Sequence, residues 1–201
     1  MPGCRPFTDP EIVWMYDYLK KYGDPRDALL FRFGVFTGFR ITELLSIQIK
    51  QVFQHGKIVD LLQIDRSKMK KKLHSREMEL HHYLEMPIKE YIRHLKSRNS
   101  FDADYFLFPR RGRPWENLHR IQAYRIIHNA ANALGLQGKI GTHSMRKTFA
   151  RLFYQESGEN LLLTTDGIGH ARPDSTVKYL SFTKREVFDT VHRIKIQGLN
   201  A

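Results

Sequence analysis

The amino-acid sequence predicts one α+β domain that is mainly α-helical, with a small three-stranded antiparallel sheet. Three observations carry this. Capped segments with apolar residues at helical spacing occupy both ends of the chain. A shorter, strand-like period replaces that spacing only between Ile47 and Leu84, where three short strands fit. The length, 201 residues with no internal repeat and no low-complexity linker, suits a single domain with a sizeable core.

Thr8-Asp9-Pro10-Glu11 is a capping box with proline in the first turn, and it opens a helix that carries Ile12, Trp14, Met15, Tyr18 and Leu19 as core residues. A second helix starts at Asp24-Pro25 and runs through Leu29, Leu30, Phe33 and Val35 to Phe36; its apolar density requires burial. Gly38 then supplies a left-handed turn into the next helix. Residues 51–53, 58–64 and 77–84 read as the three strands, with His55-Gly56 turning the first pair. The second and third strands flank a basic hairpin tip that includes Lys68, Lys70, Lys71 and Lys72. Pro87 opens a helix to about residue 98, and Leu107-Phe108-Pro109 leads into the turn Arg110-Arg111-Gly112-Arg113-Pro114. A long helix over 117–134 places Arg120, Tyr124 and His128 on one polar face. An amphipathic helix over 183–194 aligns Val187, Val191 and Ile194, joined by Phe188.

Thirty-three Lys and Arg against 21 Asp and Glu leave a formal net charge of +12, an excess that points to a polyanion, with nucleic acid a more natural partner than a membrane. The polar face through Arg120, Tyr124 and His128 then either lies along DNA or faces water. No apolar run reaches the ~20 residues of a membrane span, and the N-terminus lacks the apolar core of a signal peptide. Cys4 is the single cysteine, so no intrachain disulfide can form and a reducing, cytoplasmic setting fits. No Cys-x-x-Cys, His-Glu-x-x-His or Walker loop is present, so no metal or nucleotide cofactor is expected. His81-His82 does not make a metal pair if it lies on a strand, since neighbouring residues there point to opposite faces.

The last third of the chain concentrates the chemistry. With Thr142 as N-cap, His143 and Arg146 share the first turn of a helix, where backbone N–H groups and the helix dipole favour a phosphate. The planar fork of arginine holds two phosphate oxygens at once. Gly169-His170 closes the following helix, Pro173-Asp174 starts another, and Tyr179 falls near its end, nine residues after His170. Upstream, Thr37-Gly38-Phe39-Arg40-Ile41-Thr42-Glu43-Leu44 follows two helices, and by itself it reads as an exposed arginine with an acidic helical neighbour.

Taken jointly, these residues resemble the tyrosine recombinase (phage integrase) family. His143 to Arg146, Gly169-His170 and Tyr179 match its second signature box, and the stretch from Thr37 to Leu44 matches its first. The resemblance covers the chain from about Phe7 to the end, so that residues 1–201 are read as the family's catalytic domain. It does not cover the N-terminal helical domain that usually clamps the other face of the DNA; the sequence starts where that domain would stop.

The resemblance implies duplex DNA as substrate and Arg40, Lys70, His143, Arg146, His170 and Tyr179 as catalytic residues, with Glu43 as an acid supporting Arg40. The family carries one catalytic lysine on the basic hairpin; Met69-Lys70 and the distance to Leu80 favour Lys70, with Lys71 and Lys68 as alternatives. The remaining hairpin lysines Lys68, Lys71 and Lys72, with Arg110, Arg111 and Arg113, are implied contacts to the DNA backbone. Tyr179 would form a 3′-phosphotyrosyl bond, and one phosphodiester would be exchanged for another without ATP or metal. The helix over 183–194 either packs on its own domain or, as the resemblance suggests, passes to a neighbour and links a homo-oligomer, a tetramer, on DNA. Two rival readings use the same residues: a type IB topoisomerase that relaxes supercoils, and a DNA-binding regulator that has lost catalysis.

Overall fold

A computed structural model describes residues 3–64 and 76–180. Nine helices and three two-stranded antiparallel ladders appear among the described residues: α1 (Asp9–Tyr22), α2 (Pro25–Thr37), α3 (Ile41–Leu45), α4 (Ile49–Val52), β1 (Phe53–Gln54), β2 (Lys57–Ile58), β3 (Leu61–Ile64), β4 (Arg76–Glu79), α5 (Glu85–Ser97), β5 (Pro109–Arg110), β6 (Arg113–Asn117), α6 (Arg120–Ala133), α7 (Thr142–Glu156), α8 (Leu161–Gly167) and α9 (Pro173–Leu180). The mainly helical α+β class is as expected.

Helix α2 is the hub, because it is buried on nearly every side. Leu30, Phe31 and Phe33 are inaccessible, and α1, α5 and α7 all pack against it. Its approach to α7 depends on two small residues one turn apart. A Cβ at Gly34 would stand 2.7 Å from Sδ of Met145, and one at Gly38 would stand 2.2 Å from Cδ1 of Phe149. Gly38 also adopts φ +57°, the left-handed conformation that ends α2 and turns the chain toward Arg40.

The segment before α1 ties this pair together from outside. Phe7 packs edge-on against Phe31 at 5.3 Å, a geometry worth about 0.5–1.5 kcal/mol beyond its burial. The Phe7 amide donates to Oγ1 of Thr148 on α7 at 2.8 Å. The capping box is present: Glu11 accepts from the Thr8 amide at 2.8 Å and from Arg5, whose hydrogen bond holds the Glu11 carboxyl below the usual carboxylate range. Met15 and Leu19 are core, as their spacing requires, but Trp14 is 54% exposed, because position 14 falls off the stripe through 11, 15 and 19.

The strand region differs from one continuous three-stranded sheet. Ile49 and Val52 are both buried at a spacing of three, so residues 49–52 form a helical turn, capped where Oε1 of Gln51 accepts from the Gln48 amide at 2.8 Å. His55-Gly56 does turn β1 into β2, with positive φ at both residues. The pairing partner changes at Val59-Asp60, where the Val59 amide donates to the Val52 carbonyl at 3.1 Å and the Asp60 carbonyl accepts from the Leu80 amide at 2.8 Å, and continues as β3 with β4, Leu61 opposite Glu79 through Ile64 opposite Arg76. The third strand stops at Glu79, since Nδ1 of His81 caps a 3-10 turn over His82–Leu84. His81 and His82 therefore stack at 4.3 Å instead of facing apart, and no metal-holding cluster occurs among the described residues.

Two further boundaries shift for local reasons. Residues 113–117 pair with 109–110 as β6 and alternate in burial, so α6 starts at Arg120, with the His119 ring accepting from the Ile121 amide. Gly141, not Thr142, is the N-cap of α7, because its carbonyl accepts from the Ser144 amide at 2.9 Å and its amide donates to Oγ of Ser144 at 3.2 Å; a Cβ at 141 would meet the Tyr124 ring at 2.7 Å. Tyr124 thereby has a packing task, and it also stacks on His128 at 5.2 Å, so part of that polar face is turned to internal use. No helix among the described residues is long and apolar enough to cross a membrane.

Candidate active site

The site forms where the C-terminal end of α2, the N-terminal half of α7, the end of α8 and the helix α9 converge. Arg146 is its floor. Although charged, it is only 1% exposed, and it spans the junction: Nη1 donates to the Gly38 carbonyl and Nη2 to the Ile168 carbonyl at 2.7 Å. A guanidinium suits this post because two carbonyls that close two different helices need donors in a fixed fork. Burial, and then the neighbouring charge of Arg40, lower its pKa to about 10, so it stays cationic at neutral pH. Its Nε–H is buried and makes no hydrogen bond to any described residue.

Tyr179 lies over this floor. The guanidinium carbon of Arg146 is 5.9 Å from the centroid of its ring, and Nζ of Lys147 is 5.7 Å from it. The phenol oxygen stands 2.5 Å from Nε2 of His143. His143 sits three residues before Arg146 on α7, so the two side chains share a face as expected. Partial burial, then the positive charges of Arg146, Lys147 and Arg40, hold the His143 imidazole below its ordinary pKa. A neutral imidazole at this distance can take the phenolic proton.

His170 closes the far side, its ring edge-on to Tyr179 at 4.7 Å. Its position follows from how α8 ends. Gly169, at φ +65°, donates to the Asp166 carbonyl at 2.7 Å, and the His170 amide donates to the Thr165 carbonyl at 2.9 Å, the paired bonds of a Schellman motif. Nδ1 of His170 is 3.1 Å from Oγ1 of Thr176, which is 2.9 Å from Oγ1 of Thr165.

Arg40 enters from the N-cap of α3. Glu43 is 1% exposed and accepts the Arg40 amide at 2.8 Å and its Nη1 at 3.2 Å, which aims a side chain that is still 35% exposed. The Gly38 carbonyl that holds Arg146 lies two residues away, so one turn of chain positions both arginines.

Other expected residues lie elsewhere. Lys68, Lys70, Lys71 and Lys72 fall in the connection between β3 and β4, outside the described residues, as does the helix expected over 183–194. Arg110, Arg111 and Arg113 sit on the β5–β6 hairpin; Arg110 and Arg113 both pair with Glu116. Nη1 of Arg26, at the start of α2, donates to the Pro109 carbonyl at 2.7 Å, which puts this hairpin at the opposite end of α2, about 20 Å from Gly38. It is a separate basic surface.

Sequence reasoning missed contributors of three kinds. Lys147 is adjacent to Arg146 and carried no spacing signal. Thr165 and Thr176 gave no motif, although Thr176 precedes Tyr179 by three residues on one helix face. Phe149, Ala150 and Ile168 form a small apolar cluster against which Tyr179 packs, and only a three-dimensional packing pattern reveals them.

A tyrosine hydroxyl set on a histidine over a buried arginine, with a second arginine acting on that same histidine, is an arrangement whose residue types suit chemistry on a phosphate. The sequence comparisons identify the family. Residues 6–186 match the Phage integrase family, and the chain belongs to this family. A probable integrase/recombinase, YoeC of Bacillus subtilis (strain 168), is 36% identical over 155 residues, 77% of each chain. Among solved structures, the XerH site-specific recombinase bound to palindromic difH substrate in a post-cleavage complex is similar with a TM-score of 0.72 and 23% identity, over 94% of this chain and 52% of that one. A lambda integrase dimer bound to a COC′ core site is similar with a TM-score of 0.66 and 19% identity, over 99% of this chain and 52% of that one. The chain thus spans about half the length of these two solved recombinases, and at these identities they speak to its fold.

Proposed function

We propose that this chain is a site-specific recombinase that cuts and rejoins duplex DNA through a 3′-phosphotyrosyl intermediate. The observation that carries the reading is the contact between the Tyr179 hydroxyl and Nε2 of His143 above the buried Arg146. The phenolic oxygen attacks a backbone phosphorus, its proton passes to Nε2 of His143, and the bond from phosphorus to the 5′-oxygen breaks. Arg40 and Arg146 stabilise the charge on the non-bridging oxygens of the pentavalent transition state, the largest contribution in chemistry of this kind. His170 holds a phosphate oxygen, and Lys70 on the basic connection protonates the departing 5′-oxygen. A second 5′-hydroxyl reverses the sequence. One phosphodiester replaces another of similar energy, so the cycle closes without ATP.

DNA is the partner that the net charge of +12 supports, with Lys68, Lys71, Lys72, Arg110, Arg111 and Arg113 as backbone contacts. The two solved relatives bound to DNA lend support through shared fold. Homo-oligomer formation on DNA, as a tetramer through residues 183–194, belongs to the same proposal, and the apolar positions Val187, Val191 and Ile194 support it.

The test needs no knowledge of the target. A pool of random-sequence duplexes, each with a single nick, is incubated with the protein, denatured, and searched for DNA covalently joined to protein. The wild type should yield an enriched sequence joined through Tyr179, identified by peptide mapping. An enriched sequence that is bound but never joined would support a silent DNA-binding regulator instead.

A further inference from the structure

Helices α8 and α9 meet through a short run of hydroxyl groups. Thr176 is fully buried, and Thr165 is nearly so. Oγ1 of Thr165 donates to the Leu161 carbonyl at 2.7 Å and lies 2.9 Å from Oγ1 of Thr176, which in turn lies 3.1 Å from Nδ1 of His170. This run begins on α8, crosses to α9 and returns to His170, three residues past the end of α8. Thr176 stands three residues before Tyr179, so one helix carries both the nucleophile and a hydrogen-bond partner of His170.

Two physical consequences follow. A histidine ring rotates freely about its last side-chain torsion unless a nitrogen is held, and here Nδ1 is held, so Nε2 becomes the nitrogen through which His170 meets a phosphate. The partner is also conditional on geometry. Thr176 reaches Nδ1 only while α9 is seated against α8, the same seating that sets the Tyr179 hydroxyl against His143.

We propose that Thr176, braced by Thr165, is a positioning residue that orients His170 through Nδ1 and makes that orientation depend on the docking of the Tyr179 helix. The proposal deepens the reading of the site as a recombinase centre and rests on it for its catalytic half. The nucleophile and the histidine are then armed together: withdrawal of α9 removes the tyrosine and breaks the Nδ1 contact in one movement.

The experiment uses the full chain with Thr176→Val, which keeps the shape and removes the hydroxyl, and Thr176→Ser, which keeps the hydroxyl. The first readout is the pair of imidazole ¹⁵N resonances of His170, which requires no DNA. Thr176→Val should move the Nδ1 resonance, Thr176→Ser should leave it near the wild-type position, and Thr165→Val should shift it in the same direction as Thr176→Val by a smaller amount. An Nδ1 resonance unchanged in Thr176→Val overturns the proposal, whether or not the protein cuts DNA.

The second readout is the single-turnover rate of adduct formation on the sequence enriched from the nicked pool. Thr176→Val should slow it about 10-fold to 100-fold, the scale of one buried hydrogen bond, and Thr176→Ser should recover most of the rate. In a His170→Ala background, Thr176→Val should cost nothing further, because its effect runs through that ring. An equal loss in both backgrounds would show that Thr176 merely packs α9.

Discussion

The Tyr179 hydroxyl and Nε2 of His143 stand 2.5 Å apart although 36 residues separate them in the chain. Replacing Tyr179 with Phe removes the oxygen proposed to attack and keeps the ring that packs against Arg146 and His170. Folding and DNA retention should therefore survive while covalent capture disappears, read as loss of the protein–DNA band on a denaturing gel. Any adduct formed by Tyr179→Phe would reassign the nucleophile.

The same contact has a pH signature. His143 must be neutral to accept the phenolic proton, and burial together with Arg146, Lys147 and Arg40 keeps it neutral below the ordinary histidine pKa of about 6.5. Its depressed pKa means that cleavage persists as pH falls through 6.5 and is lost only on further acidification. Lys147→Met removes one of the depressing charges and should move the acid limb of the rate profile toward higher pH. A limb already centred above 6.5 in the wild type would contradict the assigned environment.

Gly38 joins two constraints in one residue, a φ of +57° and a site for Cβ only 2.2 Å from the Phe149 ring. Gly38→Ala combines backbone strain with overpacking, together about 2–5 kcal/mol. For a chain of this size the midpoint of thermal unfolding should fall by roughly 5–15 °C. Since the Gly38 carbonyl accepts from Arg146, cleavage should also fall further than the lost stability accounts for. Calorimetry beside single-turnover kinetics at a temperature where the variant is folded separates the two effects.

How much of this was legible in the sequence depended on whether a feature was local. The capping box at Thr8, the helix opened by Asp24-Pro25 and the Gly38 turn rest on neighbours within four residues, and each stands where expected. The positions of Arg40, His143, Arg146, His170 and Tyr179 followed from resemblance, since nothing in their spacing says that the end of α2 meets the start of α7. Features that tertiary packing decides were misread. Residues 51–52 of the strand expected over 51–53 belong to a helical turn over 49–52, because two buried side chains lie three apart, and residues 77–84 lost their strand beyond Glu79 to a histidine cap. Trp14 was assigned to the core on hydrophobicity, against the period of its own helix. The hydroxyl pair Thr165 and Thr176 could not be seen in sequence at all, because two threonines eleven residues apart acquire meaning only when two helices are packed together.

The two arginines should part company when each is removed. Arg40 is partly solvated and its partner Glu43 retains the backbone N–H of residue 40, so Arg40→Ala should cost stability only about 1 kcal/mol. Arg146 is inaccessible and donates to carbonyls at the ends of two helices. Arg146→Ala leaves both carbonyls buried without that donor and opens a cavity, a loss of about 3 kcal/mol or more. Thermal unfolding should then shift by roughly 2–4 °C for Arg40→Ala and by about 6–12 °C for Arg146→Ala. Cleavage should fall by at least about 10²-fold in both, because each guanidinium is assigned to the charge of the transition state. Arg146→Lys sharpens the distinction: a single ammonium cannot hold two carbonyls and a phosphate in one plane, so it should recover part of the stability and little of the rate. Equal melting temperatures for Arg40→Ala and Arg146→Ala would mean that the carbonyl bridge from Gly38 to Ile168 does not hold the site together, and the structural half of the role given to Arg146 would fall.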